Sequence, residues 1–264
     1  MPGGRIAPVG SAAVPQLSTS VVVPAYNEER AIAGTVGALA GWLEDSGAPW
    51  ELIVVDNAST DATRERLAPY LADPRVRLLV NDTNRGKGYS VRRGMLEATG
   101  AARLHCDADC APSLVSLPAM FELLEGSDLV VGSRLAPGAS LGMRQPLSRR
   151  FVGRGFQQCC RLILWEPVRD LFCGFKLWRG AAAQDVFSRI TLDGWTYDAE
   201  AISLARALGY RVLETGIAWS DREGSRLEMS RVLVPVMREL VAARSQIRRE
   251  ALRGPRAPSG GSGQ

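Results

Sequence analysis

Five short runs rich in β-branched and apolar residues, SVVVP (20–24), ELIVVD (51–56), RVRLLV (75–80), ARLHCD (102–107) and SDLVVGS (127–133), punctuate the first half of the chain. Between them apolar residues return every three or four positions, as Ile32, Val36, Leu39 and Leu43 do. Unbroken apolar strands separated by amphipathic helices predict a doubly wound α/β domain, with a mostly parallel sheet covered by helices on both faces. There is no internal repeat. Ligands of such sheets lie outside the carboxyl ends of the strands. Here those ends carry PAYNEE, DNASTD, DADC and GSR, so the chemistry is expected there.

Composition narrows the class. At 264 residues, with 46% hydrophobic and 23% charged, the chain suits one globular domain with a substantial core. The net charge is only +4, but Arg is strongly favoured over Lys and clusters in 144–161 and 222–249. No run approaches the roughly 20 apolar residues of a spanning helix. The opening MPGGRIAPVGSAAVPQLSTS has neither the charge pattern nor the apolar centre of a signal peptide. A cytoplasmic protein with five reduced cysteines is expected. Residues 1–17 and 253–264 read as disordered tails.

The stretch HCDADCAP (105–112) raises the question of a metal. Glu28, Asp56, Asp107 and Asp109 all fall at strand ends, and acids gathered in one crevice repel one another unless a cation or a hydroxyl-rich ligand joins them. A divalent ion bridging a diphosphate meets that need. Zinc held by His105, Cys106 and Cys110 lacks a fourth ligand; the two cysteines read as small packing residues and His105 as a partly buried strand residue. NRGKGYSVRRG (84–94) has the wrong spacing for a dinucleotide loop.

The motifs SVVVPAYNEE, ELIVVDNASTDAT, NRGKGYSVRRGM, CDADCAPS, LVVGSR, DLFCGFKLWRG, GWTYDAEAISLARALGY and WSDREGSRLEMS, in this order, resemble family 2 glycosyltransferases. They look most like the dolichyl- and polyprenyl-phosphate glucosyltransferase branch. The resemblance covers roughly residues 18–250. It implies a single-domain GT-A fold, a nucleotide diphosphate sugar, a Mg²⁺ or Mn²⁺ ion and inversion at the anomeric carbon. It puts Pro24, Ala25, Tyr26 and Glu28 around the base and ribose, with Asp56 at the base edge and Lys87 among the nucleotide contacts. Asp107 would face the ribose or the sugar and share the metal with Asp109, while Arg134 and Arg149 would hold phosphate oxygens. Gly174, Lys176 and Trp195 would border the sugar and acceptor, with Arg149 and Arg150 nearby. The mannosyltransferase branch has a metal-ligating Gln where this chain has Ala111, as the glucosyltransferase branch does, so glucose is favoured. Two further departures are Asn57, in place of a usual acid, and Cys110, in place of a usual Gly.

Plainer readings stand beside these. DLFCGFKLWRG also suits a buried strand with Lys176 at its rim, and Asp198 also suits the first turn of a helix. Basic, apolar-faced segments at 148–165 and from Met229 onward suit either a lipid surface or packing on the domain. The expected layout is a catalytic domain over 18–228 followed by a basic amphipathic helix over 229–252. With no spanning segment, any membrane contact would be peripheral and sensitive to salt. Without interleaved exposed aromatics or a known binding module, nucleic acid is not an expected partner. For the acceptor, the arginines favour a polyprenyl phosphate. A hydroxyl on a small molecule, with Asp198 or Glu200 as base, stays open. A non-catalytic sensor of nucleotide sugars would have no need of the metal acids and phosphate arginines. Oligomeric state is not legible.

Overall fold

A computed structural model describes residues 17–142, 147–219 and 229–254. Of the tails expected at 1–17 and 253–264, Arg253 is the last residue of a helix, and residues 1–16 and 255–264 lie outside the described residues, as do the motif residues 220–228. So do the side chains of Arg149, Arg150 and Arg154, and of Arg231, Val232 and Pro235. The five expected strands form β1 (Thr19–Ala25), β2 (Trp50–Asp56), β3 (Val76–Val80), β4 (Ala102–Cys106) and β5 (Leu129–Ser133). Four more follow: β6 (Ser140–Leu141), β7 (Phe175–Arg179), β8 (Val212–Gly216) and β9 (Ala218–Trp219). The main sheet runs β3-β2-β1-β4-β7-β5-β8, and β6 pairs with β9 apart from it.

The sheet is parallel except at β7, which lies antiparallel between β4 and β5. The expectation of a mostly parallel sheet therefore holds, but this inversion and the edge strand β8 were not foreseen. Helices α1 (Ile32–Ser46) and α4 (Leu117–Glu125) cover one face. Val21, Leu52, Leu104 and Phe175 meet Ile32, Val36, Leu39 and Phe121 there. On the other face Val22, Ile53, Val131 and Trp178 meet α3 (Lys87–Glu97), α6 (Gly180–Phe187) and α7 (Tyr197–Ala207). The short α2 (Thr63–Leu67) lies against α1.

Two long helices, α5 (Leu147–Leu164) and α8 (Met229–Arg253), pack on one another and on α7. Of the two readings open for the basic helix from Met229, the described residues pack on the domain: Leu240, Ala243 and Ile247 of α8 are buried in the second core. A buried ion network fastens its far end, with Arg189 bridging Asp185 of α6 at 2.7 Å and Glu250 of α8 at 3.3 Å.

Gly94 shows how tightly α3 is pressed on the sheet, because a Cβ there would collide with Val22 Cγ1 and lie 3.0 Å from Val55 Cγ2. Helix propensity alone favours Ala over Gly by about 1 kcal/mol. Overpacking a close-packed core costs about 1–3 kcal/mol and overrides it. Gly94→Ala is therefore expected to lower unfolding free energy by about 1–2 kcal/mol in urea titrations; an unchanged or raised midpoint would show that α3 sits more loosely.

Candidate active site

Four loops build a crevice at the carboxyl edge of the sheet. The first leaves β1 through Asn27, whose φ of 55° falls in the left-handed region that Asn tolerates. It is stitched to the loop after β2. Asn27 Oδ1 accepts from the Thr60 backbone N–H at 2.9 Å, the Asn27 and Glu28 amides donate to Ser59 and Thr63 hydroxyls, and Glu29 N–H donates to Asp61. Pro24 and half-buried Glu28 line this wall, Ala25 is buried in it, and Tyr26 stands exposed at its lip. Asp56, in register with Ala25, is fully buried beneath the turn, where Ser59 N–H donates to it at 3.3 Å and Arg64 lies 3.5 Å away.

Asn57 explains its own departure from the expected acid. Its amide donates to Asn84 Oδ1 at 2.7 Å, while its carbonyl accepts from Asn81 at 2.9 Å and from the Arg85 backbone at 3.1 Å. A group that both donates and accepts thus ties down the loop ahead of α3. Nothing in the hydrophobic pattern announced this asparagine cluster.

That loop delivers Lys87. Its ammonium lies 2.5 Å from Asp107 Oδ1 at the end of β4. Burial opposes the charge of Lys87, yet the carboxylates of Asp107, Asp198 and Asp109 together raise its pKa. The neighbouring glycines have a steric reason. At Gly86, where φ is 95°, a Cβ would strike the Asp193 carbonyl, and at Gly88 it would come within 2.7 Å of Tyr197 Cβ. Asp107 in turn rests on Gly174: its N–H donates to the Gly174 carbonyl at 2.9 Å, and any Cβ at 174 would overlap its carboxyl group. Gly174, expected beside the sugar, is thereby the seat of Asp107.

The other expected site residues have partners of their own within the protein or lie on its surface. Lys176 is not at a rim but fully buried, donating to Asp198 Oδ1 at 2.7 Å and to the Cys173 carbonyl at 2.5 Å. His105, expected partly buried, is wholly so, with Nε2 3.2 Å from the same Asp198 oxygen. Burial alone would raise the Asp198 pKa, but Lys176 and His105 hold it well below the usual carboxylate range. Glu200 is turned away, accepting from Thr191 N–H and Oγ1 and Leu192 N–H. Burial pushes its pKa up. Arg134 clasps buried Asp170 through Nε at 2.7 Å and Nη2 at 2.9 Å, and Gln157 shares that carboxylate. Trp195 is exposed on the loop that presses against Gly86 and Gly88.

Asp107 and half-buried Asp109 offer hard carboxylate oxygens, which suit a divalent cation such as Mg²⁺ or Mn²⁺. Among the described residues no set of three or more His, Cys, Asp or Glu side chains forms a closed metal cage. Two carboxylates at an open strand end fit an ion that keeps most of its shell for phosphate and water. Cys106 and Cys110 are buried in the first core as packing residues.

A mostly parallel sheet with acids and a lysine gathered at its carboxyl edge defines a GT-A type glycosyltransferase architecture. Glucosyl-3-phosphoglycerate synthase from Mycobacterium tuberculosis, solved with Mn²⁺, uridine diphosphate and glucosyl-3-phosphoglycerate, shares this fold. Its TM-score is 0.65 at 20% identity, over 86% of this chain and 80% of that one. The dolichyl-phosphate beta-glucosyltransferases of Drosophila melanogaster and Mus musculus are each 32% identical over 81% of this chain and 70% of their own length. The model of Glycosyl transferase family 2 matches residues 20–187, and the chain belongs to that family.

The asparagine cluster is open to test. Asn57→Ala removes three hydrogen bonds, each worth about 1 kcal/mol, and is expected to cost about 2–3 kcal/mol. Asn57→Asp keeps both accepted bonds and should cost about 1 kcal/mol. Hydrogen exchange at residues 84–87 should quicken in the order wild type, Asp, Ala; equal protection in all three would remove Asn57 from the account of the loop.

Proposed function

We propose that the protein is an inverting, metal-dependent hexosyltransferase that moves glucose from UDP-glucose to a polyprenyl phosphate. The relatives at about 30% identity are named for glucose and dolichyl phosphate, and a structural neighbour was solved with Mn²⁺ and uridine diphosphate. Pro24, Ala25, Tyr26, Glu28 and Asp56 surround the base and ribose, and Lys87 and Asp107 meet the nucleotide sugar. Asp109, with Asp107, holds the cation. When bound, that cation neutralises the leaving diphosphate. The acceptor oxygen forms a bond to C1 as the bond from C1 to the diphosphate oxygen breaks, and UDP departs.

One observation carries the choice of acceptor: the two carboxylates available as bases are buried and already engaged. Asp198 is 2% exposed and bound by Lys176 and His105, and Glu200 is 0% exposed and caps the 191–192 turn. A hydroxyl nucleophile needs a carboxylate within hydrogen-bond reach to take its proton. A phosphate oxygen is ionised at neutral pH and needs only cations to hold it, the role assigned to Arg149 and Arg150.

A lipid acceptor must be reached at a membrane. No helix among the described residues is long and apolar enough to cross one. The outer face of α5 and α8 instead exposes Leu162, Trp165, Val241 and Leu252 beside Arg238, Arg248 and Arg249. The acids of α8 that are described, Glu239 and Glu250, point inward to Thr196 and Arg189. A face whose exposed charges, among the described residues, are arginines set among apolar side chains suits an anionic lipid surface.

Transfer from UDP-glucose to a short polyprenyl phosphate is expected, with none to the corresponding polyprenol. Equal use of the alcohol would restore the hydroxyl reading. Asp109→Ala should reduce transfer by at least about 10²–10³, and wild-type rates in that variant under chelation would reject the metal assignment. In sedimentation, vesicles containing phosphatidylglycerol should capture the protein at low salt and release it at high salt. Val241→Asp/Leu252→Asp should weaken capture, and binding unaffected by these changes would exclude this face.

A further inference from the structure

The chain contains 32 basic residues of the Lys and Arg type but only two lysines, Lys87 and Lys176, and a single histidine, His105. Two of the three, Lys176 and His105, meet on one carboxylate, and the third is carried by a helix start packed against the turn that bears it. Lys176 Nζ is 2.7 Å and His105 Nε2 3.2 Å from Asp198 Oδ1, and Asp198 is close enough to Lys87 to act on its charge. Tyr197 adds its hydroxyl 3.3 Å from His105 Nε2, and its Cβ lies 2.7 Å from where a side chain at Gly88 would begin. The helix start that carries Lys87 is therefore pressed directly against the Tyr197–Asp198 turn.

Stability does not account for this cluster. A buried lysine–carboxylate pair is typically no better than apolar residues of the same volume, because desolvation offsets the attraction. Nor does composition: a chain that uses arginine at thirty other basic positions has lysine at these two. A lysine is a compact point charge, whereas a guanidinium is a broad planar fork. The 0% exposed site of Lys176, between Asp198 and the Cys173 carbonyl, has the shape of the former.

We propose that Asp198 is the positioning residue of the donor crevice: fixed from behind by Lys176 and His105, its carboxylate draws Lys87 inward against Asp107 and so sets where both groups meet the nucleotide sugar. The inference rests on the reading of the crevice as a UDP-sugar site. It assigns Asp198 no contact with the reacting atoms. Asp107 pulls Lys87 from the β4 end and Asp198 from the α7 end, and Gly86 and Gly88 let the backbone come close enough for both. Loss of the Asp198 charge leaves Lys87 with the strand-end acids alone, and its ammonium swings toward solvent.

Because the chain has two lysines, amine labelling followed by peptide mapping reads Lys87 without any ligand. Asp198→Asn or Lys176→Met alone leaves an unpaired buried charge and is expected to unfold at lower temperature. The neutral double variant Asp198→Asn/Lys176→Met should recover much of the melting temperature. In it Lys87 is nonetheless expected to label about fivefold faster or more, as the loss of roughly 1 kcal/mol of restraint implies. KM for UDP-glucose should rise about tenfold, with a smaller change in kcat, the pattern of lost binding that ground and transition states share. His105→Asn, which keeps both charges, should show the same two changes to a lesser degree. Wild-type labelling of Lys87 in both folded variants would overturn the proposal. A wild-type protein that shows the labelling contrast yet neither binds nor uses UDP-glucose would reject the substrate reading while leaving Asp198 as the residue that positions Lys87.

Discussion

The direction of β7 is the constraint from which the rest of the site follows. As an antiparallel strand between two that run the other way, it begins at the edge where β4 and β5 end. Its approach segment, residues 170–174, therefore enters the crevice, bringing Asp170 to Arg134 and Gly174 beneath Asp107. The same register sets Lys176 opposite His105, which places two nitrogen bases side by side in the buried interior. A single carboxylate answers both. Had β7 been parallel, these residues would have met the opposite edge, and the acids after β4 would have lacked their seat.

Around that strand the crevice is held by polar bonds between loops. The turns after β1 and β2 exchange backbone amides for Asn, Ser, Thr and Asp side chains, and Asn57 reaches onward to the loop before α3. Three segments far apart in sequence thus share one scaffold. Backbone amides that the sheet leaves unpaired, those of Asn27, Glu28 and Glu29, find side-chain partners in the neighbouring loop.

Much of this was legible from the chain. Four of the five apolar runs, those of β1, β2, β4 and β5, mark strands because residues buried on both faces leave no alternation to confuse with an exposed strand. The acids at their ends mark the site because strand polarity fixes which edge is open. What escaped notice has a common physical origin. The polarity of β7 depends on its neighbours, which no local pattern encodes. Lys176 looks like a rim residue and His105 like a partly buried one until Asp198, about twenty and ninety positions away respectively, is brought beside them. Glu200 resembles a base because its role as a cap for Thr191 and Leu192 depends on a turn folding back onto its own helix. Asn57 reads as a lost charge, though its value lies in having both a donor and an acceptor.

The insertion of β7 also bears on how the chain reaches this state during synthesis. β4 and β5 are adjacent in order of appearance, yet they are never hydrogen-bonded to one another; a gap one strand wide separates them until residues 175–179 arrive. An emerging chain that has reached Ser133 thus carries two apolar strands with open edges, the kind of surface that invites pairing with other chains. The forty-odd residues between β5 and β7, α5 among them, must leave the ribosome before that gap is filled, roughly 2–10 s at ordinary elongation rates. Folding of this domain is in that sense delayed by its own topology, and the interval before β7 docks is when the nascent protein most depends on being kept from its neighbours.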